Sequence, residues 1–277
     1  MAEQWIHQIK TQGYCRIPGV YSAEQVKNWL DLTRYWYEKS KDNVTSNLSA
    51  LTKNDLYLWN PHYKDVNFLK MFFEPEVLRQ IMMYFLNDQW FKAIPADQPN
   101  YILQNLMGRS SDKKLSMHID SFIPYLGDHV TMVQAAVILE EQTADNGCTV
   151  VIPGSHLSGK YADQSSFDQA IPVLSEPGDL IIWDSRTWHG TLSNNTDGTR
   201  WSIIAAFSRW WIKQMFNYTD NLPQHIYDQL SDSEKAIVGF CSLSYNDETE
   251  GIDRKRGYDT LLEHVEEYRG KLVPQLV

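Results

Sequence analysis

The sequence predicts a mainly β protein, a double-sheet jelly roll or a barrel, with helices packed outside it. From about residue 100, short β-rich runs recur, separated by Gly, Pro, Asn and Asp. About seven or eight strands at this spacing are typical of jelly rolls and barrels. The 277 residues are expected to form a single domain, 1–277, with a helical N-terminal third, a β core over about 100–212 and a helical C-terminal tail.

Each element has its own local signal. A short strand is predicted over 13–19, and the predicted strands of the core are 100–107, 115–120, 130–139, 149–152, 170–174, 179–183 and 201–210. Ser22 and Gln25 have capping-box spacing, which predicts a helix from there to about residue 41. A second helix is expected over 74–86, with Pro75 in its first turn. Further helices are expected over 222–230, 231–240 and 257–268.

Composition excludes several classes of partner. The net charge is −10, from 25 basic and 35 acidic residues, and such a charge repels nucleic acid. No apolar run approaches the roughly 18 residues of a membrane helix, so no membrane association is expected. Three scattered cysteines and the lack of a secretory signal favour a cytoplasmic protein. Aromatic residues make up 13%, and some are expected to line a small-molecule site. The oligomeric state is left open, as monomer or homodimer.

Two short motifs together predict a metal site. His118 and Asp120 are two residues apart at the end of a predicted strand, so their side chains share one face. His189 follows the buried strand 179–183. Two histidines and one carboxylate leave coordination positions open for other ligands, and this set is diagnostic of non-haem Fe(II) oxygenases.

Arg200 is the candidate for binding an anionic co-substrate. It lies eleven residues beyond His189, at the start of an apolar strand. A guanidinium that enters an apolar barrel is costly unless it meets a carboxylate, which it can bind through two hydrogen bonds. Residues 193–199 have hairpin-turn chemistry, so His189 and Arg200 are expected on neighbouring strands. Taken by position alone, the alternative is a surface arginine beside the turn, which is the less favoured of the two interpretations.

With these motifs, the sequence resembles the phytanoyl-CoA dioxygenase-like branch of the Fe(II)/2-oxoglutarate oxygenases. The resemblance covers roughly residues 10–212 and is most specific at 145–156, which reads Asp-Asn-Gly-Cys-Thr-Val-Val-Ile-Pro-Gly-Ser-His. It implies a double-stranded β-helix, a cupin-like jelly roll. It also implies Fe(II) held by His118, Asp120 and His189, 2-oxoglutarate with its distal carboxylate on Arg200, and O2 as oxidant.

The resemblance carries over to other positions less directly. Asn105 is thirteen residues before His118, where related ectoine hydroxylases place a 2-oxoglutarate contact. Thr191 is two residues past His189, where a hydroxyl often holds the co-substrate. His156 belongs to the signature and is interpreted as a structural or rim residue. Asp120 implies hydroxylation or a related oxidation, because halogenating relatives have Gly or Ala in its place.

The substrate pocket is predicted from strand parity. Gln134 and Ala136 share a face of the strand 130–139 that is expected to look into the cavity. Trp183 is a further candidate, and Gln104 and Tyr63 are weaker ones. Some family members that act on acyl-CoA carry a large aromatic residue where Ala136 stands, and the chain has no Lys/Arg cluster for coenzyme A phosphates. A small polar metabolite or a natural-product intermediate is therefore favoured as substrate.

Two other functions are compatible with the fold. The first is a metal-binding cupin-like protein or isomerase that does not use 2-oxoglutarate, which would not need Arg200. The second is a catalytically silent interaction protein, which would be expected to have lost one of the three metal ligands. The motifs favour an iron- and 2-oxoglutarate-dependent hydroxylase over both.

Overall fold

Two antiparallel sheets face each other and form the core of the protein. The computed structural model describes residues 2–43, 55–91, 94, 97–243 and 248–249. The strands are β1 (Tyr14–Ile17), β2 (Asp55–Leu58), β3 (Tyr101–Ser111), β4 (Leu115–His118), β5 (Met132–Ile138), β6 (Thr149–Val151), β7 (Ile171–Pro172), β8 (Leu180–Asp184), β9 (His189–Thr191) and β10 (Ser202–Arg209). The larger sheet has the order β1-β8-β5-β10-β3-β2 and the smaller one β4-β9-β6-β7. The predicted jelly-roll class is thus confirmed.

Helices pack on the outer face of the larger sheet. They are α1 (Glu3–Gln12), α2 (Ala23–Ser40), α3 (Asn67–Phe73), α4 (Glu76–Leu86), α5 (Tyr218–Asn221), α6 (Gln224–Tyr227) and α7 (Asp232–Val238). Side chains of β5 alternate between two cores. Val133, Ala135 and Val137 join the helices in the main core, whereas Ala136 and Ile138 face the smaller sheet.

Local sequence signals account for several helix ends. Ser22 Oγ accepts a hydrogen bond from the Gln25 backbone N–H, and the Gln25 side chain accepts one from the Ser22 backbone N–H, so the predicted capping box is present. A second capping box, between Ser231 and Glu234, starts α7. The predicted placement of Pro75 in a first helical turn is wrong by one residue, because α4 begins at Glu76 and Pro75 is its N-cap.

Other predicted helices differ from the structure. The helix expected over 222–230 is present only as the shorter α6 (Gln224–Tyr227), and a separate short helix, α5, ends before it at Asn221. Pro223 has no backbone N–H to continue α5, and it serves instead as the N-cap of α6. Helices α1 and α3 were not predicted, and the helix expected over 257–268 lies outside the described residues.

The expected hairpin between His189 and Arg200 is wrong. Strand β9, which carries His189, belongs to the smaller sheet, and β10, which follows Arg200, belongs to the larger one. The turn 193–199 therefore carries the chain across the jelly roll instead of joining two paired strands. Residues near both of its ends consequently face the same interior space from opposite sheets.

Within the described ranges, no helix has the length and apolar character that a membrane span requires.

Candidate metal centre and anion site

Three predicted metal ligands come together at one end of the smaller sheet. His118 and His189 are direct cross-strand partners in β4 and β9, and their rings lie 4.1 Å apart between centroids. Asp120 Oδ1 lies 3.5 Å from His118 Nε2, and Asp120 Oδ2 lies 3.2 Å from His189 Nε2. One ligand atom from each residue lies within 4.8 Å of the other two. This geometry suits a single divalent metal ion.

Backbone contacts orient both imidazoles for coordination. His118 Nδ1 lies 2.9 Å from the Ser116 carbonyl oxygen, and His189 Nδ1 lies 2.9 Å from that of Thr187. A carbonyl oxygen can only accept, so each Nδ1 donates and each Nε2 is left as the metal-binding atom. Such outer contacts orient the histidine ligands of metal sites and set their tautomer.

Asp120 is positioned through both its backbone and its side chain. Its backbone N–H donates to the Ser185 carbonyl at 2.7 Å, and the Trp183 indole N–H donates to its Oδ2 at 3.1 Å. Burial acts to raise the pKa of Asp120, but charge and hydrogen bonding from both histidines outweigh it and hold that pKa far below its usual range. Asp120 is thus an anionic ligand at any ordinary pH.

A buried ion pair holds the turn that carries Ser185. Arg186 donates from Nε and Nη2 to Asp184, at 3.0 and 2.7 Å, and from Nη1 to the Gly127 carbonyl at 2.8 Å. Both partners are about 95% or more buried. With its fork satisfied, Arg186 fixes the Ser185 carbonyl that receives the Asp120 N–H.

Gly190 allows the two histidine-bearing strands to approach each other. A Cβ atom at this position would lie 2.4 Å from the Leu115 carbonyl oxygen and 3.3 Å from that of Ser116. Both are backbone atoms of β4, so neither can move without displacing the strand. The glycine that follows His189 is therefore a requirement of metal-site geometry.

Gly190→Ala is expected to weaken metal binding by more than about 10-fold, because it pushes β4 and His118 away from β9. The measurement is metal affinity of the purified protein by equilibrium titration. Gly198→Ala is the matched control, since its Cβ would meet nothing closer than Thr196 Oγ1 at 3.7 Å. Equal metal affinity in the two variants would contradict this role of Gly190.

Arg200 is buried and offers unused donors. Arg200 is 3% exposed, and its backbone N–H donates to Ser110 Oγ at 2.9 Å. Nε and Nη2 have no hydrogen-bond partner within the described part of the chain. Burial, and then the nearby charge of Arg109, lower the pKa of the guanidinium to about 10, so it stays cationic at neutral pH. A buried cation with open donors is suited to a carboxylate ligand.

Asn105 and Thr191, the other predicted co-substrate contacts, face the interior from opposite sheets. Asn105 lies on β3 opposite Ala206, and Thr191 shares a face of β9 with His189. The Thr191 hydroxyl accepts from the Leu115 N–H at 3.0 Å. Their roles toward 2-oxoglutarate stay predictions.

The predicted pocket residues of β5 and β8 lie close to the metal ligands. Gln134 is paired across the sheet with Trp183, whose indole bonds Asp120, and Gln134 is 8% exposed. Ala136 packs in the interior cluster with Val151 and Ile181. Gln134 and Ala136 share a face of β5, as predicted. Trp183, which was predicted to line the substrate pocket, is hydrogen-bonded to the candidate metal ligand Asp120.

Two predicted pocket residues are engaged elsewhere. Gln104 lies at a β-bulge and donates from Nε2 to Ser208 Oγ and to the Ile212 carbonyl, at 2.6 and 3.1 Å. Tyr63 contacts the His62 ring and is hydrogen-bonded to Asn221. Among the described residues, neither of these side chains is hydrogen-bonded to His118, Asp120 or His189.

His156 has a position consistent with the structural role expected for it. It is 2% exposed, and its Nε2 lies 3.1 Å from the Lys10 carbonyl oxygen. Gly13 approaches it closely: a Cβ there would lie 2.7 Å from His156 Nδ1 and 2.5 Å from Thr187 Oγ1. His156 thus packs the end of α1 against the turn that precedes His189.

Sequence reasoning missed three residues beside Arg200, namely Asp55, Tyr57 and Arg109. Arg109 of β3 is the cross-strand partner of Tyr57 of β2, and its Nη2 donates to Asp55 Oδ2 at 3.3 Å. Its position has the same strand parity as Asn105, so parity could have revealed Arg109. The pairing with β2 had no clear signal, because that strand was not predicted.

The fold and the ligand set together define a class of protein. A jelly roll that presents two histidines and one carboxylate toward an interior with a buried cation has the ligand set of the mononuclear non-haem iron oxygenases.

Comparisons with known proteins agree with this class. The sequence model of the phytanoyl-CoA dioxygenase (PhyH) family matches residues 9–202, and the chain belongs to that family. Dioxygenase af480 of Aspergillus fumigatus is 24% identical, with 86% of this chain and 76% of that protein covered. Dioxygenase andF of Emericella variicolor is 28% identical over 40% of this chain and 39% of that protein. The predicted enzyme class, a 2-oxoglutarate-dependent non-haem iron dioxygenase, is confirmed.

Solved structures share the fold. The epimerase SnoN, solved with Fe3+, alpha ketoglutarate and nogalamycin RO, has a TM-score of 0.59 at 20% identity and covers 80% of this chain and 90% of its own. HygX from Streptomyces hygroscopicus, solved with nickel, 2-oxoglutarate and hygromycin B, has a TM-score of 0.61 at 15% identity and covers 77% of this chain and 90% of its own.

Proposed function

We propose that this protein binds Fe(II), 2-oxoglutarate and O2 and oxidises an unactivated C–H bond of a small metabolite or natural-product intermediate, by hydroxylation or a related oxidation. Succinate and CO2 are the proposed co-products. One observation carries the proposal: the His118, Asp120 and His189 set lies in the same jelly-roll interior as the open donors of Arg200.

The donor chemistry fits the proposed cofactors. His118 and His189 would hold iron through Nε2, and Asp120 through its carboxylate, which leaves positions open for a chelating 2-oxo acid and for O2. Arg200 would bind the distal carboxylate of 2-oxoglutarate through Nε and Nη2. Asn105 and Thr191 are proposed as further contacts to the same co-substrate.

Bound iron, with 2-oxoglutarate and O2, supplies an oxidant that can cleave a C–H bond. The chain's own residues position the reactants and exclude water. Trp183 holds Asp120 in its orientation, and the Ser116 and Thr187 carbonyls hold the two imidazoles. The apolar interior around Ala136 keeps bulk solvent from the co-substrate.

The substrate class is inferred from the pocket and the relatives. Gln134 is the polar side chain of β5 and pairs across the sheet with Trp183, and Ala136 on the same face of β5 has only a small side chain. SnoN was solved in complex with nogalamycin RO, and HygX with hygromycin B. These features support a natural-product intermediate over a fatty acyl-CoA.

A second outcome is supported by one relative, because SnoN is described as an epimerase. An isomerase that does not use 2-oxoglutarate would have no use for the buried Arg200 guanidinium. The alternative function that we propose is therefore epimerisation that still requires 2-oxoglutarate.

The test is a screen of candidate metabolites with protein loaded anaerobically with Fe(II) and then exposed to O2 and 2-oxoglutarate. Succinate formation that depends on a candidate substrate supports the proposal, and the mass of the product distinguishes hydroxylation from epimerisation. A product one oxygen atom heavier indicates hydroxylation, whereas an unchanged mass with a changed stereocentre indicates epimerisation. Turnover that needs no 2-oxoglutarate would overturn the proposal.

Ala136→Trp and Gln134→Leu are expected to uncouple the reaction. The indole would crowd the interior cluster to which Ala136 belongs, and overpacking of this kind costs about 1–3 kcal/mol, which a folded, iron-binding variant can tolerate. Gln134→Leu removes a polar contact that orients the substrate, so less product should form per succinate released. Gln80→Leu on the exposed face of α4 is the control. Coupling equal to wild type in both pocket variants would place this strand face outside the substrate pocket.

A further inference from the structure

A second arginine lies beside Arg200 in the jelly-roll interior. Arg109 pairs across the sheet with Ser202 of β10, two residues beyond Arg200, and the Arg200 N–H bonds the hydroxyl of Ser110. Arg109 has the same strand parity as Asn105, which faces the interior opposite Ala206. The two guanidinium groups therefore reach the same space from adjacent strands.

Electrostatic effects agree with this placement. After burial, the charge of Arg109 is the next largest cause that lowers the pKa of Arg200. Arg109 is thus within electrostatic range of Arg200, the residue proposed to bind the distal carboxylate.

Neighbouring side chains hold Arg109 in place. Asp55 Oδ2 accepts from its Nη2 at 3.3 Å, and the two side chains are 13% and 11% exposed. The Tyr57 ring lies 5.4 Å from the guanidinium carbon and stacks on Trp59 at a centroid distance of 4.7 Å. A guanidinium held by a carboxylate and an aromatic face loses little freedom when it binds a ligand.

The charges in this region call for an anion. The buried Arg200 and the largely buried Arg109 repel each other, and Asp55 pairs directly with Arg109, whereas Asp55 and Asp112 act on Arg200 through their charge without a hydrogen bond. A ligand carboxylate has two oxygens with about four acceptor positions, enough to receive hydrogen bonds from both arginines.

We propose that Arg109 is a second guanidinium of the anion site and binds the distal carboxylate of 2-oxoglutarate together with Arg200, with Asp55 as its positioning residue. This inference rests on the proposed function of the site. It assigns co-substrate affinity to β2 and β3 as well as to the residue that precedes β10.

Binding, not turnover, tests the inference. Wild type and Arg109→Gln are loaded anaerobically with Fe(II) and titrated with 2-oxoglutarate or with 2-oxobutyrate, which lacks the distal carboxylate. Arg109→Gln should weaken 2-oxoglutarate binding by about 10- to 100-fold, the range for hydrogen bonds to charged groups. It should change 2-oxobutyrate binding by less than about 2-fold, because that ligand has no group to reach Arg109.

Two further variants separate ligand binding from a purely structural ion pair. Arg109→Lys keeps the charge but not the fork and should give an intermediate loss, which also covers the case in which Arg109→Gln does not fold. Asp55→Asn keeps an acceptor for the Asp112 N–H and for Arg109 but removes the charge that positions the guanidinium, so 2-oxoglutarate binding should weaken by much less than in Arg109→Gln.

The outcomes are distinct. Wild-type protein that binds no 2-oxoglutarate overturns the proposed function itself. If wild type binds and Arg109→Gln and Arg109→Lys bind equally well, the Arg109 inference is wrong. Equal weakening in Asp55→Asn and Arg109→Gln, or equal losses for the two 2-oxo acids, would also overturn it, because an ion pair that only stabilises the sheet predicts those results.

Discussion

Asp120→Ala is expected to lower metal affinity by more than about 100-fold and to abolish oxidation of the substrate. Asp120 contributes the carboxylate of the three-residue set, and the two neighbouring imidazoles keep it anionic against the opposing effect of burial. Substitutions in the outer shell of metal sites already cost about 10- to 100-fold, so loss of a ligand should cost more. Metal affinity and product formation are both measured.

Asp197→Ala is the control for this change, because Asp197 is an exposed turn residue. The melting temperature without metal checks that Asp120→Ala still folds, since the Trp183 indole loses its acceptor in that variant. Stoichiometric iron with near-wild-type turnover in Asp120→Ala would show that the metal is held by other residues.

Arg200→Ala is expected to weaken 2-oxoglutarate binding by the equivalent of about 3–5 kcal/mol, because the distal carboxylate would lie buried without its cation. The measured quantity is the dissociation constant of 2-oxoglutarate for the anaerobic Fe(II) protein. Water that enters the vacated space would reduce the loss toward the lower end of this range.

Arg200→Lys should recover only part of the affinity, since an ammonium group cannot form the two parallel hydrogen bonds of the guanidinium fork. Arg34→Ala is the control, because the Arg34 side chain is 51% exposed and pairs with Glu140 on the surface. An unchanged 2-oxoglutarate requirement in both Arg200 variants would place this arginine outside the site.

Features that depend on nearby residues could be predicted from the sequence. The capping box of Ser22 and Gln25 acts over three residues, and His118 and Asp120 share a face because strand periodicity places them there. That His118, Asp120 and His189 come together could be predicted, although they are distant in sequence, because their residue types and order match those of a known family. The broad jelly-roll class was predictable from turn residues spaced through a β-rich segment.

Features that depend on how distant strands meet could not be predicted in the same way. The bulge in β3 leaves Gln104 without a cross-strand partner on β10, whereas Asn105 pairs with Ala206. The alternation of residue types along β3 does not predict this bulge. The turn 193–199 has the composition of a hairpin, yet it crosses between sheets, because sheet membership is decided by pairing with β6 and β3 far along the chain.

The sequence by itself determined the class of protein and predicted the three candidate metal ligands and Arg200, because each follows from residue type, local spacing and family pattern. Only the tertiary structure decided that β2 pairs with β3, which places Asp55 and Tyr57 around Arg109 beside Arg200. It also decided the need for glycine at position 190, where the backbone of β4 leaves no room for a Cβ. Both depend on the packing of segments that are distant in sequence, and residue type and spacing carry no direct record of such close approaches.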